Sequence, residues 1–75
     1  MNKKFEKMHG MYNSINYMDM KVFNIYHDWM LDIIDIARVV MDDEDESYFD
    51  KLYNQMLDLS KSAELMDRAI KNDMS

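Results

Sequence analysis

Apolar residues fall at Met8, Met11, Ile15, Met18, Val22, Ile25 and Trp29 in alternating steps of three and four, and the stripe resumes at Ile33, Ile36 and Val40. This is the heptad rhythm of an amphipathic helix. The extra step of four between Trp29 and Ile33 is a stutter, which locally unwinds a coiled coil without breaking it. A second run, Phe49, Leu52, Met56, Leu59, Ala63, Met66 and Ile70, keeps the same rhythm without interruption. Between the runs, Val40 and Phe49 are nine residues apart, which at about 100° per residue turns the stripe through roughly 180°. One straight helix would carry its two apolar faces on opposite sides, so the chain must fold back.

The pattern therefore predicts an all-α antiparallel helical hairpin, with a long helix 1 over about residues 3–41, an acidic turn over 42–46 and a shorter helix 2 over about 47–72. Asp43 with Glu46 three residues on, or Ser47 with Asp50, offers an N-cap for helix 2. Gly10 is the one place where helix 1 could end early, with Asn13 or Ser14 capping the next helical segment. Glycine inside a helix costs about 1 kcal/mol relative to alanine. Phe5, Met8, Tyr12 and Ile15 nevertheless stay in phase across it, which favours a continuous helix.

At ~1.5 Å per residue helix 1 would run about 58 Å and helix 2 about 39 Å, so helix 2 cannot cover the start of helix 1. Helix 1 also has a flanking apolar stripe at Phe23, Tyr26, Met30, Ile34, Ala37 and Met41, wider than one neighbouring helix buries. Both features call for a second copy, giving a coiled-coil-like four-helix bundle as a homodimer. Charge agrees: residues 1–27 hold four Lys against two acids, residues 28–50 one Arg against nine acids, and residues 51–75 balance. Two copies of helix 1 paired antiparallel would set basic start beside acidic end.

Composition narrows the class. The 75 residues form a single domain too short to build a comfortable core alone, and without Cys it has no disulfide or thiolate metal site to help. No apolar run approaches the roughly 20 residues that cross a bilayer. The opening Met1-Asn2-Lys3-Lys4-Phe5-Glu6-Lys7 turns polar where a signal peptide would enter its apolar core. The expectation is a cytoplasmic protein with no membrane contact. One Gly and no Pro, beside eleven Asp, seven Lys, six Asn and six Ile, point to an AT-biased gene such as a bacteriophage or mobile element carries.

Candidate chemistry is sparse. Asp28, Asp32 and Asp35 share one helix face beside His27, the pattern of a divalent-ion or acid/base site, yet no matching Glu-x-x-His appears on helix 2. Ser14, Ser47, Ser60 and Ser62 lack a base and an orienting group, no Gly-rich phosphate loop exists and only two Arg are present. No catalytic residue, metal ligand or cofactor is assigned, and the chain is read as no enzyme. The net charge of −6 disfavours direct nucleic-acid binding.

Two surfaces remain. An adaptable apolar one would comprise Phe5, Met8, Met11 and Tyr12, with Tyr17, Met20 and Phe23 beside them; methionine repacks readily against varied partners. An acidic one would comprise Asp28, Asp32 and Asp35 with Asp42, Asp43, Glu44, Asp45 and Glu46. These carboxylates, at roughly one per 4 Å of helix, approach the charge spacing of a nucleic acid. The expected function is a small module that inhibits or redirects a host protein by occupying its surface. Alternatives are a nucleic-acid mimic blocking a DNA- or RNA-binding groove, and a metal-binding or hydrolytic protein using Asp28, Asp32 and Asp35.

Overall fold

The chain is not helical without a break from residue 3 to residue 41. In the computed structural model, which describes residues 2–73, α1 spans Lys3–Ser14, a 3₁₀ turn follows over Ile15–Tyr17, α2 spans Met20–Asp42 and α3 spans Glu46–Asp73. No strand occurs among the described residues. The expected hairpin is a three-helix fold, and its extra corner lies at Met18 and Asp19, where the backbone is extended.

The corner has a local cause. Asn13, Ser14, Asn16 and Asp19 crowd it with short polar side chains that compete for backbone hydrogen bonds. Ser14 Oγ donates to the Met11 carbonyl at 2.7 Å, and the Asp19 carboxylate caps α2 by accepting the Lys21 N–H at 2.9 Å. It also has a tertiary cause: the N–H of Asp19 donates to Asp67 of α3 at 2.7 Å. Gly10, the expected weak point, lies inside α1, and the N-terminal cap is Asn2, whose side chain accepts from the N–H groups of Lys4 and Phe5.

Because of this corner α1 runs back along α2 and parallel to α3. Lys4 meets Asp50 at 2.8 Å at one end of the bundle, while Asp19 meets Asp67 at the other. Arg38, near the end of α2, lies 5.9 Å from the Phe5 ring centroid. The molecule measures 47 × 18 × 15 Å. The basic start and the acidic segment, expected to attract each other between two copies, meet here within one chain.

Met8, Ile15, Val22, Met30, Ile34 and Met56 are fully buried, with Ile33, Ala37, Val40, Phe49, Leu52, Leu59 and Ala63 completing the core. Burying each large side chain of this kind stabilises by about 1.5–3 kcal/mol. Because α1 packs against both α2 and α3, the mismatch of arm lengths disappears. In α2 the core takes Met30, Ile34 and Ala37 of the flanking stripe together with Val22, Ile33 and Val40 of the main one. Ile25, Trp29 and Ile36 of the main stripe are exposed.

The second reversal follows the predicted phase break with α-helix on both sides of residues 43–45. Asp45 N–H donates to the Val40 carbonyl at 3.2 Å and Glu44 N–H to that of Met41 at 3.1 Å, a Schellman closure. Glu44 occupies its left-handed position, with φ 59°. Neither expected cap starts α3. Asp45 does, its carboxylate accepting the Tyr48 N–H at 3.1 Å.

Candidate partner-binding surface

The expected apolar patch is mostly drawn into the fold. Met8 is fully buried, and Phe5, Met11, Tyr12 and Phe23 are half-buried against the core. Tyr12 and Phe23 are occupied with His27: the ring centroids lie 5.7 and 4.6 Å away, nearly parallel in both cases, and Tyr12 Oη and His27 Nδ1 share a 3.1 Å hydrogen bond. Phe5 packs edge-on against His9 at 4.8 Å. The contacts of Tyr12 with His27 join α1 to α2. Only Tyr17 and Met20 of the patch are well exposed, at the corner between the two helices.

The acidic residues are placed differently. Asp28, Asp32 and Asp35 are all exposed on α2, and Asp42, Asp43, Glu44, Asp45 and Glu46 are exposed around the second turn. Asp28 Oδ1 lies 3.7 Å from His27 Nε2, too far for a good hydrogen bond. Among the described residues, no three carboxylates or imidazoles come together in a way that could hold a metal ion. Besides the caps made by Asp19 and Asp45, two ion pairs of the fold use acids. Asp50 pairs with Lys4, whose ammonium is pushed above its ordinary value by the hydrogen bond and charge of Asp50. Asp67 is held below the ordinary carboxylate range, first by its hydrogen bond with Lys71 and then by the Asp19 N–H.

Two shallow recesses open on the surface. One, of 580 Å³, lies at the end of the bundle between Asn2, Lys4, Met41 and the turn residues Glu44, Asp45 and Glu46. The other, of 490 Å³, is a groove between α1 and α3 floored by Met11, Leu57 and Ser60 and edged by Gly10. Neither is lined by His27 or Asp28.

The feature that the sequence pattern did not single out is the outer face of α2. Ile25, Trp29, Ile36 and Val39 are between 44% and 60% exposed, although the core beside them is complete. They share that face with Asp28, Asp32 and Asp35. One signal was available. Two apolar stripes on one helix cover more than half its circumference, more than its neighbours bury, and Val39 belongs to neither.

No family model matches the chain, and no curated protein or solved structure shows significant similarity to it. Among the described residues no helix is long and apolar enough to cross a membrane.

Proposed function

We propose that this chain is a small non-enzymatic protein-binding module whose contact surface is the outer face of α2, and that it inhibits or redirects a larger protein by covering part of it. The observation that carries this reading is the exposure of Trp29 together with Ile25, Ile36 and Val39 on a helix whose opposite face already fills the core. Isolated exposed apolar residues are ordinary, whereas a contiguous group around a tryptophan is what interfaces use as anchors. The AT-biased composition fits a phage or mobile-element protein aimed at a host factor. Replacing Trp29 or Ile36 by a photo-crosslinking amino acid, in the cell that carries the gene, tests it. A discrete adduct from both positions, absent when Leu57 on the α1–α3 groove is replaced, is the expected result. No adduct from either position overturns it.

A second reading is favoured by the eight exposed acids at Asp28, Asp32, Asp35 and 42–46: an acidic mimic seated in a nucleic-acid-binding groove. Reversing Asp42, Asp43 and Glu46 separates the two, and Asp45 is left alone because it caps α3. A mimic loses partner binding with these changes. A module that docks through α2 keeps it.

A further inference from the structure

The outer face of α2 also constrains the chemistry of its occupant. At about 100° per residue, Ile25, Trp29, Asp32, Ile36 and Val39 fall within one sector of roughly 80°, and all five are exposed. Asp28 and Asp35 lie about 20–40° beyond its edge, on the side away from the buried Ile33 and Val40. The surface is thus an apolar strip about 21 Å long with a carboxylate at its centre and two along one margin. Asp32 and Asp35 have no ion-pair or hydrogen-bond partner among the described residues.

A second copy of the chain suits this strip poorly. Two strips brought together parallel in register, or antiparallel about their centre, set Asp32 against its own counterpart and join two molecules of charge −6. Covering Asp32 is favourable only if a cation meets it, because a desolvated and unpaired carboxylate costs more than the surrounding apolar contact returns. A helix is the natural shape to lie along a helix face of this length, and an amphipathic one supplies apolar anchors and flanking charge together.

We infer that the occupant is an amphipathic helix of a larger protein, with Lys or Arg along its polar margin. Its apolar side chains seat on Ile25, Trp29, Ile36 and Val39, and its cations meet Asp28, Asp32 and Asp35. This rests on the protein-binding reading and specifies the partner's contact segment.

The test uses two synthetic helical peptides of about 14 residues, long enough to match the strip. Both repeat leucine at heptad spacing, one with Lys at the polar positions and one with Glu. Trp29 is the one tryptophan of the chain, so its emission reports this surface directly. The Lys peptide is expected to shift that emission to the blue and to bind one to one, more weakly as salt rises. Ile36→Ser, or Asp32→Lys with Asp35→Lys, weakens binding at least about tenfold, and the doubly reversed protein now accepts the Glu peptide. Asp42→Lys with Asp43→Lys, the same change of net charge placed elsewhere, alters affinity less than about threefold. Equal losses from the two reversed pairs, equal binding of the two peptides, or failure of the swapped pair to bind overturns the inference. A crosslink from position 29 to an acidic or non-helical segment also overturns it while leaving the protein-binding reading intact, and the absence of any crosslink removes that reading itself.

Discussion

Glu44 and Asp67 are the residues whose individual chemistry the fold uses most plainly. Glu44 closes α2 from the left-handed region, with φ 59°, a conformation in which a β-carbon crowds the backbone. Glycine is the residue suited to that position, although it gives up more chain entropy on folding. Glu44→Gly is expected to raise stability by about 0.5–1 kcal/mol in urea unfolding; a loss of stability would mean that the Schellman turn does not form. Asp67 binds Lys71 through one oxygen and the N–H of Asp19 through the other, with its side chain only 13% exposed. Its carboxyl is held below the ordinary aspartate value near 3.8. The stability it contributes is therefore present above that value and lost as pH falls through the lower folded value. Asp67→Asn should lower the urea midpoint at neutral pH, and the gap to the wild type should close in acid below the ordinary carboxyl range. A gap that stays constant through that range and below it would show that the charge of Asp67 plays no part in holding the corner.

At the scale of the elements, the decisive event is the reversal of α1 at Met18 and Asp19. It makes the N-terminal helix part of the core, and Met8 is its one fully buried residue. Met8→Ala should cost about 2–5 kcal/mol, as for other fully buried methionines. An effect below about 0.5 kcal/mol, typical of surface positions, would mean that α1 does not pack. The measurement is chemical unfolding followed by circular dichroism. Much of this architecture is legible in the sequence. The uninterrupted rhythm from Phe49 to Ile70 locates α3, and the nine-residue step from Val40 to Phe49 locates the fold-back, both within a residue or two of the observed ends. The first corner is not legible because Met8, Met11, Ile15, Met18 and Val22 keep heptad phase across it. All five are buried or half-buried, so the stripe identifies core residues correctly while saying nothing of the chain's direction. Four short polar residues between Asn13 and Asp19 are the available warning, whereas the hydrogen bond from Asp19 to Asp67, 48 positions apart, carries no local signature.

For the whole molecule, that corner also decides which surface is left over. With α1 folded back, Lys4 pairs with Asp50 within one chain, and Tyr12 of α1 packs on His27 beside Phe23 of the flanking stripe. Ile25, Trp29 and Ile36 of the main stripe then face outward, while its Val22, Ile33 and Val40 stay in the core. Which residues of the main stripe are core depends on where α1 and α3 pack, so the site residues Ile25, Trp29, Ile36 and Val39 emerge only from the tertiary arrangement. The acids Asp28, Asp32 and Asp35, by contrast, are recognisable as one helix face from spacing alone. The binding function proposed for α2 requires its outer face to be open in the free protein, and collisional quenching of Trp29 by acrylamide over a range of protein concentrations tests this most directly. Ready quenching is expected, as for a half-exposed indole, at a rate independent of protein concentration. A shielded Trp29 whose protection deepens as the protein is concentrated would refute it, because a second copy would then be covering the surface reserved here for a partner.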